Sequence, residues 1–323
     1  MKKKALITGI NGQDGSYLAE ILLAEGYEVY GVMRRSSMEN REKTKNIRHI
    51  WDKLRITSCS LENALSVYKL LAEVRPQEIY HLAAASFVSY APEDDLSVMT
   101  SNFNTTYNIL LNVWELCPKC RVYFAGTSEI FGRATESPQR ITTHYNPRSM
   151  YGISKLTGHC LVQNYRNRYG LFACTGFAYN HESPRRGRSF VTRKITAGVA
   201  AIAKGKQKFI EMGNMDAVRD WGYAPEYVDA MHRMLLADSP KDYIIATGVL
   251  HTVRDVLVAA FSKVGLDYRD YVRVNPEFIR PEDGLPLRGD ASAIYEDLGW
   301  RATKPLSDII EEMVEHDMAA LTE

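Results

Sequence analysis

Apolar residues along the first half of the chain come in short runs separated by stretches of helical spacing. Residues 5–8 (Ala-Leu-Ile-Thr) form one such run, ending at Gly9, and residues 16–25 follow with helical period. Further strand-like runs fall at 28–33, 54–57, 78–82, 122–125 and 173–178, with helical stretches at 61–74, 101–116 and 151–169 among them. Strands that alternate with helices predict βαβ units, because parallel neighbours need a crossover that a helix supplies.

The second half is more mixed. Residues 190–204 read as a helix, 209–212 as a short strand, and 225–237 as a helix with Pro225 in its first turn. Residues 276–286 carry three prolines and several charges and read as loop, followed by two short helices. No repeat or low-complexity tract breaks the chain. The expected architecture is α/β: a Rossmann-type doubly wound parallel sheet with a smaller mixed α/β substrate-binding domain. Residues 1–180 are expected to be mainly the cofactor half and 181–323 mainly the substrate half, with elements crossing back between them.

Composition narrows the function classes. The 323 residues are 45% hydrophobic and 24% charged, with a formal net charge of +1. That excludes disordered and collagen-like chains and leaves no bulk field for nucleic acid or membrane. The lysines at 2–4 precede an apolar run that stops at Asn11, short of the about 7–15 residues of a secretory core. No run approaches the ~18 residues of a membrane span. Five cysteines, an odd number, suit free thiols in a reducing cytoplasm. Cys117 and Cys120 lack the second pair that a structural zinc site needs, so they read as two thiols in a helix-to-strand loop. The eight histidines show no metal spacing, and no metal is expected. Residues 41–48 are basic but interrupted by Glu42 and lack aromatics, so nucleic acid is not an expected partner.

Gly9-Ile10-Asn11-Gly12-Gln13-Asp14-Gly15 spells G-x-x-G-x-x-G between the first strand and the first helix. Glycines there let the backbone approach a diphosphate, and the helix N-terminus favours its charge. The context of strand, turn and helix supports nucleotide binding by Gly9, Asn11, Gly12, Gln13, Asp14 and Gly15. After the second strand stand Arg34-Arg35-Ser36, with no carboxylate at the strand end. Guanidinium forks hold a 2′-phosphate well, so NADP is expected over NAD.

Tyr151-Gly152-Ile153-Ser154-Lys155 is Y-x-x-x-K, which puts phenol and ammonium on one helical face. A nearby ammonium is expected to lower the phenol's pKa and make it a general base. Shortly upstream, Gly126-Thr127-Ser128-Glu129 ends a strand, where ligands bind in open α/β sheets.

With Pro147-Arg148-Ser149, Asn180-His181-Glu182-Ser183-Pro184-Arg185-Arg186-Gly187, Phe190-Val191-Thr192-Arg193-Lys194 and Arg219-Asp220-Trp221-Gly222, the sequence resembles the extended short-chain dehydrogenase/reductase family from end to end. Within it the resemblance is to the nucleotide-sugar 4,6-dehydratases acting on GDP-mannose. That resemblance implies that Tyr151 takes the sugar 4-hydroxyl proton as hydride leaves C4, and that Lys155 holds the nicotinamide ribose. It implies that Thr127 bonds the 4-oxygen and that Glu129 removes the C5 proton as water leaves C6, before hydride returns to C6. Ala83 and Ser86 would touch the cofactor, and Ser86 the sugar. Asn180, Glu182, Val191, Lys194, Arg219, Arg280 and Glu282 would line the GDP-sugar site. The segment 41–48 would reach a neighbouring subunit near its cofactor, in a homotetramer or alternatively a dimer.

Several positions depart from the pattern. Ser60 replaces an aspartate, Met150 a proline, and 283–286 follow an unusual course. Ala85 and Ala178 are smaller than usual. Truncating a leucine to alanine frees room for roughly three carbons, so GDP-D-glycero-D-manno-heptose is an alternative substrate. A 4-epimerase or 4-dehydrogenase would share the glycines, Tyr151 and Lys155 but has no need of Glu129.

Overall fold

A computed structural model describes residues 2–85, 92–279 and 284–321. Its strands are β1 (Lys4–Thr8), β2 (Glu28–Met33), β3 (Arg55–Ser58), β4 (Glu78–His81), β5 (Arg121–Thr127), β6 (Ala173–Ala178), β7 (Asn180–Glu182), β8 (Ile210–Met212), β9 (Val218–Tyr223), β10 (Tyr243–Ile245), β11 (Leu250–Thr252) and β12 (Val272–Val274). Its helices are α1 (Gln13–Ala24), α2 (Arg35–Met38), α3 (Arg41–Thr44), α4 (Ala64–Val74), α5 (Pro92–Leu116), α6 (Met150–Tyr169), α7 (Val191–Ala203), α8 (Ala224–Leu236), α9 (Val253–Lys263), α10 (Tyr268–Tyr271), α11 (Ser292–Leu298) and α12 (Leu306–Ala320).

Seven strands form one parallel sheet in the order β10-β6-β5-β4-β1-β2-β3. The chain winds outward from β1 through β2 and β3, then returns to β4 and winds the other way. The switch therefore lies between β1 and β4, and a crevice opens at their carboxyl ends. Every residue of β4 and β6 is buried, as expected of parallel strands covered on both faces. One apolar layer joins the sheet to α1 and α8, through Leu18, Leu22, Met231 and Leu235. The other joins it to α4, α5 and α6, through Leu71, Leu110 and Val162.

Beyond β6 the sheets are small. β7 and β11 flank β9 in a three-stranded sheet, and β8 pairs with β12. Their core is a separate cluster around Ile195, Val199, Phe261 and Met313, contributed by α7, α9 and α12. Tyr243–Ile245 nonetheless returns to the edge of the main sheet beside β6.

The helix read at 101–116 begins at Pro92, because Glu93, Asp94 and Asp95 suit a first turn. The last helix is longer than expected, at 15 residues. Lys45–Lys53 forms an irregular 3-10 stretch. Cys117 and Cys120 lie between α5 and β5, and all five thiols are free. Among the described residues, no helix is long and apolar enough to cross a membrane.

Candidate active site

The crevice at the switch is shaped by backbone. Thr8 ends β1, and its Oγ1 accepts the amides of Leu82 and Ala83, both at 3.1 Å, binding β1 to the segment after β4. Gly9 has φ +73°, and a Cβ on it would lie 3.1 Å from the Ala83 Cα. A Cβ on Gly15 would lie 2.4 Å from the Gly9 carbonyl oxygen, so α1 crosses the loop at a distance only glycine allows. The first amides of α1 have no partners within the helix. They form an anion cradle of the kind that takes a dinucleotide's diphosphate.

Gly9, Asn11, Gly12, Gln13, Asp14 and Gly15 line one cleft of about 560 Å³ together with Ala84, Thr127, Glu129, Tyr151 and Lys155. Three of these side chains also brace the loop. Gln13 Nε2 donates to the His181 carbonyl at 3.0 Å, and Ser183 Oγ donates to Gln13 Oε1 at 2.9 Å. Asn11 Nδ2 donates to the Lys43 carbonyl at 3.0 Å, and Asn46 Nδ2 to the Asn11 carbonyl at 3.1 Å. Residues 42–46 thus lie on their own chain's phosphate loop. Asp14 Oδ2 lies 3.0 Å from His181 Nε2, whose other ring nitrogen lies 2.7 Å from the Tyr179 carbonyl. Two acceptors on one ring favour the imidazolium. Burial works against the Asp14 carboxylate, but the charge and hydrogen bond of His181 bring its pKa down to about 2.

Arg34 and Arg35 stand at the end of β2, outside that lining. Arg34 Nη2 lies 3.7 Å from Glu62, and Arg35 Nε lies 3.2 Å from Glu39. No carboxylate sits at the strand end in sequence, yet the fold brings two to these guanidiniums. Ser36 follows within α2. The Ala83 amide is committed to Thr8, and its neighbours Leu82 and Ala84 border the cleft instead. Ser86, Arg280 and Glu282 lie outside the described residues.

Thr127, Glu129, Tyr151 and Lys155, the residues expected to act on the sugar, meet where β5 ends and α6 begins. Thr127 Oγ1 accepts the Glu129 amide at 3.3 Å, turning the chain. Ser149 caps α6 by accepting the Gly152 amide at 3.1 Å. A Cβ on Gly152 would lie 2.8 Å from the Glu129 carbonyl oxygen, so the first turn of α6 presses on this segment. Tyr151 is thereby brought into hydrogen bonding with Thr127.

Lys155 does not act on Tyr151 as its spacing suggests. Its Nζ donates to the Ala125 carbonyl at 2.7 Å and lies 5.9 Å from the Tyr151 ring centroid. Burial pushes the phenol up to about 12, and what pulls the other way is the Thr127 hydrogen bond and the charge of Arg186. Burial also pulls the Lys155 ammonium down to about 8. The i, i+4 spacing gives the shared face correctly; desolvation sets the protonation.

A second cleft of about 450 Å³ holds Asn180, Glu182, Val191, Lys194 and Arg219. It shares Glu129, Asn180, Arg186 and Phe190 with the first. Glu182 is 1% exposed; it accepts from Thr192 Oγ1 and lies 3.2 Å from Arg186 Nε. Its carboxylate therefore fixes Arg186, whose guanidinium lies 3.7 Å over the Phe190 ring. Lys194 Nζ stands 4.4 Å over the Phe278 ring, and burial lowers its pKa. Next to Arg219, Asp220 is fully buried: Oδ1 accepts from the Thr247 amide and hydroxyl, and Oδ2 from the amides of Gly248 and Gly289. Sequence reading did not assign Arg148, Arg186 or Phe190 to the site. The signal was present, since each stands in a quoted motif. Among the described residues, no group of His, Cys, Asp and Glu could hold a metal ion.

By fold the chain is similar to UDP-glucose 4-epimerase of Thermotoga maritima, at 22% identity and TM-score 0.86, covering 98% of this chain and 99% of that one. It is similar also to a dTDP-glucose 4,6-dehydratase of Streptomyces venezuelae, solved with NAD bound, at 21% identity and TM-score 0.84 over 97% and 96%. At these identities the likeness establishes the sheet and its crevice. Sequence goes further. The chain is 39% identical to a GDP-mannose 4,6-dehydratase of Vibrio cholerae, over 98% of this chain and 94% of that protein. It is 38% identical to the human GDP-mannose 4,6 dehydratase, over 97% and 91%. Residues 6–313 match the model of the GDP-mannose 4,6 dehydratase family, a span that takes in both clefts and the seam between them. The chain belongs to that family.

Proposed function

We propose that the protein converts GDP-D-mannose to GDP-4-keto-6-deoxy-D-mannose, with NADP held in the first cleft and the GDP-sugar in the second. The observation that carries this reading is the position of Glu129: it borders both clefts, beside Thr127 and Tyr151. A dehydrogenase or an epimerase has no use for a carboxylate there, whereas a dehydratase needs an acid/base at C5 and C6.

The glycine cradle and the bare α1 amides fit a dinucleotide diphosphate, and Lys155 stands ready for its ribose. A nicotinamide in that cleft supplies a reversible hydride acceptor. The chain's residues do the rest. Tyr151 takes the proton of the sugar 4-hydroxyl, and Thr127 holds that oxygen in line. Once C4 is a ketone the C5 proton is acidic; Glu129 removes it and gives it to the departing 6-hydroxyl. The 5,6-double bond so formed would be saturated by return of the C4 hydride to C6 and of a proton to C5, which balances the proton taken from the 4-hydroxyl. Asn180 orients the sugar, while Lys194, Arg219 and Arg280 answer the diphosphate and Val191 and Glu282 flank the nucleoside. Arg34 and Arg35, released from Glu62 and Glu39, would hold the 2′-phosphate that distinguishes NADP. Residues 1–180 serve mainly as the cofactor half and 181–323 mainly as the substrate half, with α8 and β10 crossing back to the main sheet.

We also propose a homo-oligomer built on α5 and α6. Tyr107, Trp114, Ile153 and Tyr169 are each more than a third exposed on these two packed helices. Trp114 and Tyr169 meet across the two helices with ring centroids 4.9 Å apart, and exposed aromatic side chains on adjoining helices suit a second copy.

Mass spectrometry of purified protein incubated with GDP-mannose and NADP⁺ tests the function. Loss of one water is the expected result; unchanged mass, or loss of two hydrogens, overturns it. Because Ala178 borders the first cleft, GDP-D-glycero-D-manno-heptose is run beside it. Water loss from the heptose alone would move the substrate to a seven-carbon sugar.

A further inference from the structure

Arg193 has a guanidinium that nothing above employs. The residue is 4% exposed. Its Nη2 pairs with Asp317 Oδ1 at 2.6 Å, and Asp317 is steadied by Thr196 Oγ1 at 2.9 Å. Its Nε and Nη1 are shut off from solvent and have no hydrogen-bond partner among the described residues. Buried donors in folded proteins are almost always answered, by protein, by water or by a ligand.

The position of Arg193 says which. It borders the cofactor cleft, whereas its neighbours Val191, Thr192 and Lys194 border the other. At about 100° per residue, the first turn of a helix can serve two clefts at once. Two unpartnered guanidinium donors suit an anionic acceptor. Lys43, Lys45, Arg185 and Arg188 border the same cleft, and the guanidinium already has one carboxylate in Asp317. The cradle of that cleft is the glycine loop at the start of α1.

We propose that Arg193 is a ligand of the dinucleotide's diphosphate, supplied by the substrate half of the chain. The cofactor is then clamped between the glycine loop on one side and α7 on the other. Because the same turn presents Val191 and Lys194 to the second cleft, cofactor binding orders the wall that receives the GDP-sugar, and the coupling is reciprocal. The proposal rests on the reading that the first cleft holds a nicotinamide dinucleotide. The diphosphate is favoured over the 2′-phosphate because Arg193 shares its cleft with the glycine loop, from which Arg34 and Arg35 stand apart.

The test is titration calorimetry of the full chain with NAD⁺, NADP⁺ and GDP. Arg193→Met alone would strand Asp317, so the variant is Arg193→Met combined with Asp317→Asn, with Arg193→Lys beside it. The double variant is expected to bind NAD⁺ and NADP⁺ about 10- to 100-fold more weakly, by equal factors, as loss of a charge-assisted hydrogen bond implies. Its GDP affinity measured without cofactor should be unchanged. Arg193→Lys, which keeps the charge but not the fork, should fall between. Unchanged affinity for both cofactors overturns the proposal. A loss confined to NADP⁺ overturns the diphosphate assignment in favour of the 2′-phosphate. A wild-type protein that binds neither cofactor fails the underlying reading first, and the proposal with it.

Discussion

The cofactor cleft stands on strands buried along their length, β4 and β6 among them, and the glycine cradle at the start of α1 is backbone. The second cleft takes its walls from β7 and β8, strands of three residues each, from β9 and from the first turn of α7, and its surface is side chains held by other side chains. In the first, the chain's path makes the cradle: Gly9 turns and Gly15 lets α1 cross, while Asn11, Gln13 and Asp14 brace the loop. In the second, Glu182 must find Arg186 and Thr192, and Asp220 must gather Thr247, Gly248 and Gly289. A surface of backbone amides tolerates change in most side chains near it. A surface of paired side chains fails when one partner is lost, because the other is left buried and unmet.

The seam is where the two constructions depend on each other, and the largest effects belong there. Tyr151→Phe removes the phenol proton acceptor, and the rate of product formation should fall by about 10²–10⁴-fold. Glu129→Gln keeps Tyr151 and Thr127 in place, so it should spare oxidation at C4 while abolishing loss of water. Following the mass of the sugar nucleotide separates the two. If Glu129→Gln still releases water at the wild-type rate, the seam is not where elimination occurs.

A middle-sized effect tests the contrast itself. All four hydrogen bonds at Asp220 are donated to it, so an acceptor-only carboxylate is required. Asp220→Asn turns an amide group toward at least one of those donors, and should lower stability by about 1–3 kcal/mol. Denaturant unfolding measures this. GDP binding should weaken alongside, through Arg219 next door, while cofactor binding holds. Equal loss of both affinities would mean that the two clefts are one mechanical unit.

This contrast also explains what could be read from sequence. The sheet was legible because short apolar runs and helical stretches alternate, and because glycine spacing is a local code. Tyr151 and Lys155 share a face by helical period alone. Their protonation was not legible: the Ala125 carbonyl that occupies Lys155 and the burial that raises Tyr151 arise from β5, distant in sequence. Arg186 and Arg193 illustrate the same limit. One borders both clefts and the other only the first, yet in sequence both are arginines in basic motifs, and nothing there shows that Glu182 and Asp317 are their partners.

The smallest effect bears on the more robust region. Lys155 is 4% exposed, and burial lowers its ammonium from the ordinary 10.5 to about 8. In the unfolded chain the side chain regains its ordinary pKa, so between about pH 8 and 10.5 the unfolded state binds more protons than the folded one. Stability from this group therefore rises with pH across that window and is lost as pH falls through 8. Lys155→Met has no such term. The stability of the wild type relative to Lys155→Met should improve by roughly 1–2 kcal/mol between pH 7.5 and 9.5, as a shift of one to two pKa units implies. Thermal or denaturant unfolding of both proteins at the two pH values reads this difference directly, and titrations common to both cancel. A difference that does not move with pH would mean that the ammonium is not destabilised by burial. The first cleft would then carry Lys155 without cost, and the contrast between the two regions would be sharper still.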